Sequence, residues 1–217
     1  MAESGRYVPA LGREGLTGLY DPVLRLTTRE RAFKERLLAQ AGLGAGMHVL
    51  DLGSGTGTLA IWAAARVPGA RFTGLDGDPQ VVARAREKAR RAGADVRFDE
   101  GLAGALPYPD ASFDRVLSTL FFHHLPSEGK RSAVREVRRV LRPGGELHVA
   151  DWGPPTDPLM SALSLSIRVL DGFEPTRENF TGALASIFEQ EGLVRVRLHD
   201  RMRTVFGALA FYSATRA

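Results

Sequence analysis

The chain carries two kinds of apolar pattern in turn. Short runs rich in β-formers recur at Met47–Leu52, Ala70–Asp76, Ala94–Phe98, Arg115–Ser118 and Glu146–Asp151, each bordered by a glycine or an acid. Such runs read as buried strands. Between them, apolar residues fall at helical spacing. Thr27 and Glu30 form a capping box opening a helix whose Phe33, Leu37, Leu38 and Ala41 share one face, and Gly42 and Gly44 end it. A second helix begins near Thr58, where Leu59, Ala60, Ile61, Ala63, Ala64 and Ala65 are good helix formers. Asp78 as N-cap and Pro79 at the first helical position start a third. A fourth runs from about Ser127 to Leu141 with Ala133, Val134, Val137, Val140 and Leu141 as its buried stripe, and Arg142-Pro143-Gly144-Gly145 stops it.

Beyond residue 152 the alternation loosens. Residues 153–177 hold Pro154, Pro155, Pro158 and Pro175 around an apolar segment, Leu159–Leu170. A helix is expected over about Glu178–Glu191, with Phe180, Leu184, Ile187 and Phe188 on one face and Gly192 at its end. Strands near Val194–His199 and Thr204–Tyr212 finish the chain. Residues 1–26 are mixed, with Tyr7, Leu19 and Tyr20 as anchors. No repeat or low-complexity segment interrupts the composition, so one domain is expected.

Composition narrows the class. A chain of 217 residues, 44% hydrophobic and 25% charged, is long enough for one well-buried soluble domain. Zero cysteines exclude disulfides, thiolate metal sites and a thiol nucleophile. The opening Met1–Arg6 lacks the apolar core of a signal peptide, and the apolar run at Leu59–Ala65 is too short to cross a bilayer. A cytoplasmic location without membrane insertion is the expectation. The net charge of +4 carries little weight for nucleic acid: only three of the 29 basic residues are lysines, and Arg84, Arg86, Lys88, Arg90 and Arg91 read as a solvated helix face. No nucleic-acid partner is expected, and a homo-oligomer stays open.

The chemistry concentrates in Asp51-Leu52-Gly53-Ser54-Gly55-Thr56-Gly57, between the first strand and the helix at Thr58. Glycines at alternate positions let the backbone turn sharply and let a ligand press against it. The helix N-terminus behind them favours a carboxylate or phosphate. A dinucleotide fingerprint needs a third small residue where Thr58 stands, so the spacing fits that cofactor poorly. Asp76 ends the second strand 19 residues after Gly57, where a carboxylate can accept both hydroxyls of a ribose. Asp78, two residues on, reads as the structural cap.

The run Val49–Gly57 resembles the first motif of the class I S-adenosyl-L-methionine (SAM) dependent methyltransferases. Three further landmarks follow in that family's order: the acid Asp76, the stretch Leu106-Pro107 through Ser112-Phe113-Asp114, and Leu141–Gly145 before the fifth strand. The resemblance covers residues 47–151. It implies a Rossmann-like, doubly wound α/β sheet of seven strands, the last antiparallel, with a helical cover. The divisions expected are residues 1–45 as N-terminal cover, 46–152 as SAM-binding core, 153–177 as substrate-side cover and 178–217 as the last helix and strands. It also implies that Asp51, Gly53, Ser54, Gly55, Gly57, Asp76, Gly77, Gly101, Leu102, Ala103 and Ser118 hold the cofactor. At one position the chain departs from the pattern: Leu102 stands where the family carries an Asp for the adenine amino group.

Methyl transfer from a sulfonium is an in-line displacement, in which positioning and exclusion of water supply much of the acceleration. Where the acceptor must lose a proton, a nearby His, Asp or Glu serves as base. His123 is the catalytic candidate, set against a plain loop role; His124, next to Leu125-Pro126, reads as structural. Tyr20, His123, Asp151, Trp152 and Arg168 are candidates for touching substrate, with packing or loop support as the alternative for Tyr20 and Asp151. No Asn/Asp-Pro-Pro-aromatic run follows the fourth strand, which argues against methylation of exocyclic amines on nucleic-acid bases. Lack of cysteine removes thiol-adduct methylation of pyrimidines and thiol-dependent arsenic methylation, and no acidic metal cluster is evident, so no metal is expected. The remainder resembles the small-molecule branch typified by ubiquinone and menaquinone methyltransferases, without choosing among carbon, oxygen and nitrogen. Two other readings stand beside it: a SAM- or nucleotide-binding module without transferase activity, and an NAD-linked oxidoreductase, which Thr58 and the absence of a Tyr-x-x-x-Lys pair disfavour.

Overall fold

The computed structural model describes residues 30–217. Tyr7, Leu19, Tyr20 and Thr27 lie outside the described residues. Seven strands form one sheet: β1 (His48–Leu52), β2 (Arg71–Asp76), β3 (Val96–Glu100), β4 (Phe113–Thr119), β5 (Leu141–Trp152), β6 (Leu193–Thr204) and β7 (Gly207–Arg216). Their order is β3-β2-β1-β4-β5-β7-β6. The pairs joining β3, β2, β1, β4 and β5 are all parallel, and β7 lies antiparallel between β5 and β6. This is the sheet the resemblance implied. The order turns back at β1 and β4, so a crevice opens at their carboxyl ends.

Among the described residues, α1 (Glu30–Ala41), α2 (Thr58–Arg66), α3 (Pro79–Ala92), α4 (Ser127–Val140), α5 (Pro158–Asp171), α6 (Phe173–Thr181) and α7 (Leu184–Gln190) accompany the sheet. Phe33, Leu37 and Ala41 of α1 pack with Leu59, Leu117 and Phe211. A second apolar layer joins the α4 stripe, Ala133, Val134, Val137 and Val140, to Leu147, Val149 and Leu184. With both faces covered, the central strands bury most of their residues, which is why they read from sequence as short runs rich in apolar residues rather than as a strict alternation. Lys130 of α4 is wholly buried; its ammonium donates to the Pro175 carbonyl and, at 2.9 Å, to Glu178 of α6.

Four expected elements are corrected. The helix expected over Glu178–Glu191 is two helices, because Gly182 takes φ +82° between them. Strand β3 runs Val96–Glu100 rather than Ala94–Phe98, because Gly93 and Ala94 close the end of α3 by donating back to Ala89 and Arg90. Strand β5 begins at Leu141, with a bulge opposite Phe113–Arg115 absorbing the Pro-Gly-Gly run. The last hairpin turns at Val205–Phe206, not between His199 and Thr204. There the Thr204 hydroxyl donates to the Gly207 carbonyl and accepts from the Phe206 amide. Asp200 to Arg203 looked unlike a strand because β6 is an edge, where charged residues are tolerated.

Candidate active site

The loop from Gly53 to Gly57 is stitched to β2: the Gly53 and Ser54 amides both donate to the Leu75 carbonyl, at 2.9 and 3.0 Å. Its three glycines do different work, although all take positive φ. A Cβ on Gly53 would run into the Phe121 ring, and one on Gly57 into the Phe98 ring. These two are glycines because protein lies against them. A Cβ on Gly55 would meet nothing within 4 Å. That position faces open space.

Both oxygens of Asp76 are already engaged, one accepting from the Gly55 amide at 2.9 Å and the other from the Asp78 amide at 3.1 Å. Burial pushes its carboxyl above the usual range, against the pull of the Asp78, Gly55 and Gly77 amides. Asp78 caps α3, accepting from the Gln80 and Val81 amides at 2.8 and 3.3 Å. Asp51 differs from both. It is buried, and neither oxygen has a hydrogen-bond partner among the described residues; the neighbouring Ser54 hydroxyl is likewise unpartnered. Burial pushes Asp51 up to about 7, opposed by the Lys34 charge and reinforced by that of Asp76. A buried carboxyl with no donor costs free energy that a bound ligand can recover.

The other expected cofactor residues line the same end of the sheet. The Ser118 hydroxyl donates to the Leu52 carbonyl at 3.0 Å and so ties β4 to β1. Gly101 donates its amide to the Asp76 carbonyl at 3.0 Å, Ala103 is buried, and Leu102 is 41% exposed on the rim. An apolar rim of this kind can cover a flat base without a hydrogen bond. These residues therefore fit SAM: an orphaned carboxyl, a glycine with open space beyond it, and an acid beside the loop.

Beyond β4 the chain bends sharply. Leu120 takes φ +50°, a conformation costing a non-glycine residue about 1–2 kcal/mol. This bend brings Phe121 over Gly53 and turns Phe122–His124 into one 3-10 turn. Asp151, at the end of β5, organises that turn. One oxygen accepts from the Phe121 amide at 3.1 Å; the other accepts from the Trp152 amide at 2.7 Å and lies 2.6 Å from Nδ1 of His123. Burial works to raise Asp151, yet His123 and the Trp152 amide outweigh it, and its carboxyl sits below the ordinary value. The contact directs an Nδ1 proton of His123 at Asp151. Nε2 is buried, has no hydrogen-bond partner, and lies 3.5 Å from Asp171 at the end of α5. Asp171 is raised by burial, a shift that His123 opposes and Asp151 reinforces. His124 is lowered to about 3 by burial, with His123 adding to the effect and Asp151 opposing it.

The structure thus joins His123 to Asp151 and, unforeseen from sequence, to Asp171. Its only sequence signal was an acid ending the apolar run Leu159–Leu170. Trp152 is buried edge-on to His123, with ring centroids 6.3 Å apart. Arg168 is not brought to this turn. Its guanidinium stacks on Phe173 at 4.7 Å, and it lines a cavity of about 420 Å³ with Pro155, Ser161, Ser164 and Phe180.

Fold and crevice define a Rossmann-like, doubly wound α/β core. Residues 49–145 match the family model described as a methyltransferase domain. The chain is 44% identical over 108 residues to a demethylmenaquinone methyltransferase of Thermus thermophilus, covering 50% of this chain and 48% of that protein. It is 39% identical over 120 residues to the 27-O-demethylrifamycin SV methyltransferase of Amycolatopsis mediterranei, covering 54% of this chain and 43% of that one. A solved SAM-dependent methyltransferase from Aquifex aeolicus superposes with a TM-score of 0.65 over 85% of this chain and 89% of that one, at 24% identity. The chain spans about half the length of the curated relatives it matches. No helix among the described residues is long and apolar enough to cross a membrane.

Proposed function

We propose that this chain moves a methyl group from SAM to a hydroxyl on a small molecule. When bound, the cofactor supplies an electrophilic methyl on a sulfonium centre. Asp51 and Ser54 receive its charged amino-acid end, Asp76 accepts from the sugar hydroxyls with its remaining lone pairs, and Leu102 and Ala103 pack against the base. His123 takes the proton of the acceptor hydroxyl at Nε2. The imidazolium so formed is flanked by Asp151 and Asp171 and is stabilised by both. The observation that carries this reading is the Asp151–His123 contact of 2.6 Å beside a loop whose Gly55 faces open space. Small-molecule acceptors of the matched relatives support the acceptor class. Incubation with methyl-labelled SAM and fractionated metabolite extracts tests it: label on a hydroxylated compound is expected. Tight cofactor binding with no label in any fraction would leave only a binding module.

Two further results are expected of the cofactor site. Asp76→Ala weakens SAM binding by roughly 1–3 kcal/mol, through lost charge-assisted bonds and a slack Gly55 amide. Calorimetry reads this, and unchanged affinity counts against the sugar role. Asp51 gives a pH signature. Its folded value near 7 lies above the ordinary 3.8, so the free protein prefers it protonated, and that contribution to stability is lost as pH rises through about 7. An incoming ammonium prefers the carboxylate. Binding therefore releases a proton below about pH 7, and affinity climbs with pH until that point, then levels. Asp51→Asn abolishes the slope; buffers of different ionisation enthalpy measure the released proton directly.

A further inference from the structure

His123, His124 and Asp171 each bring a donor atom to one point, all within 4.8 Å of one another. Asp171 lies 3.5 Å from Nε2 of His123 and 3.9 Å from Nδ1 of His124. The Asp171 side chain is 5% exposed and faces these two imidazole edges, with the Asp151 carboxylate close enough to act on it by charge. Nε2 of His123 is buried without a hydrogen-bond partner. A buried carboxyl facing two imidazole edges, one of them the unpartnered Nε2, is a set of converging ligand atoms that a cation can occupy.

The supporting residues are those a metal-binding imidazole needs. Nδ1 of His123 is held by Asp151, and Asp151 is itself fixed by the Phe121 and Trp152 amides. A carboxylate behind the ligating histidine sets the ring's orientation and raises its basicity. Ligand atoms around a tetrahedral ion at ordinary bond lengths stand about 3.3 Å apart. The 3.5 and 3.9 Å separations of Asp171 from the two imidazoles therefore need only a small contraction, and the two histidines, within 4.8 Å of each other, close in by a change of side-chain torsion. Two nitrogens and one carboxylate suit zinc, cobalt or nickel, and suit magnesium or calcium poorly.

We propose that Nε2 of His123, Nδ1 of His124 and the Asp171 carboxylate form a binding site for a divalent first-row transition-metal ion. Three protein ligands leave a coordination position for water or an acceptor oxygen. The ion takes the lone pair with which His123 would accept a proton, so loading the site and using His123 as base exclude one another.

The test is a Co²⁺ titration of the chelator-treated, untagged full chain, without cofactor or acceptor. Saturable visible d–d absorption at one ion per chain is expected. The proton spectrum of the loaded wild type should show two far-shifted exchangeable resonances, from Nδ1–H of His123 and Nε2–H of His124. His124→Ala and Asp171→Asn, checked for folding by circular dichroism, should each weaken binding about tenfold or more. Absence of both absorption and shifted resonances overturns the proposal. So does unchanged binding in the two folded variants, which would place the ion elsewhere. Since no methyl donor is present, failure here leaves methyl transfer standing, and failure of methyl transfer leaves the ion site standing.

Discussion

A Gly55→Val variant folds and binds SAM at least about 100-fold more weakly than the wild type, a loss of roughly 2.7 kcal/mol or more. Gly55 takes φ +53°, and a Cβ there meets nothing within 4 Å. The cost to the fold is backbone strain alone, about 1–3 kcal/mol, which a domain stable by about 5–15 kcal/mol survives. The cost to the ligand is steric, because the new side chain occupies the space where the cofactor must lie. The same substitution at Gly53 or Gly57 acts differently: their Cβ atoms collide with Phe121, packed against the core, and with the buried Phe98. Those variants lose the fold first. Calorimetry with SAM, alongside thermal melts of all three variants, reads the contrast. Wild-type affinity in Gly55→Val would move the cofactor away from this loop.

His123→Asn lowers the turnover number by about 10²–10⁴-fold while SAM affinity stays near that of the wild type. The imidazole meets Asp151 at 2.6 Å through one nitrogen and presents the other unpartnered. Asparagine can keep a hydrogen bond to Asp151, whose Phe121 and Trp152 amides remain in any case, so the turn is retained. The group that takes up the proton is lost. The decisive comparison is between kcat and the KM for SAM in steady-state assays. A drop of less than about tenfold in kcat would mean that the attacking atom needs no base, as for a neutral amine or an activated carbon.

How far the candidate site was legible depends on how local each signal is. Asp78 and Pro79 were readable as a helix start because a cap is made within three residues, and the Gln80 and Val81 amides bear this out. Asp51, Asp76 and the glycines were readable by spacing alone. Their different tasks were not, since these depend on what approaches from β3 and from beyond β4. Phe98 and Phe121 decide that Gly53 and Gly57 serve packing while Gly55 faces outward. Gly182 shows the opposite failure: a break carried by one residue was submerged in a helical apolar pattern that continues on both sides of it.

By itself the sequence determined the succession of the first five strands and the helices between them, the parallel character of the central sheet and the place of the glycine loop. These follow from burial patterns and turn chemistry that act over a few residues. Only the tertiary structure decided that Asp151 supports His123, that Asp171 closes on its other nitrogen, that Arg168 points to a separate cavity and that Asp51 is left without a partner. The two that build the histidine site join residues far apart in the chain, Asp151 to His123 at a separation of 28 and Asp171 to His123 at 48. No local periodicity encodes such a meeting; it arises when the sheet sets the ends of β4 and β5 side by side and α5 folds back over them.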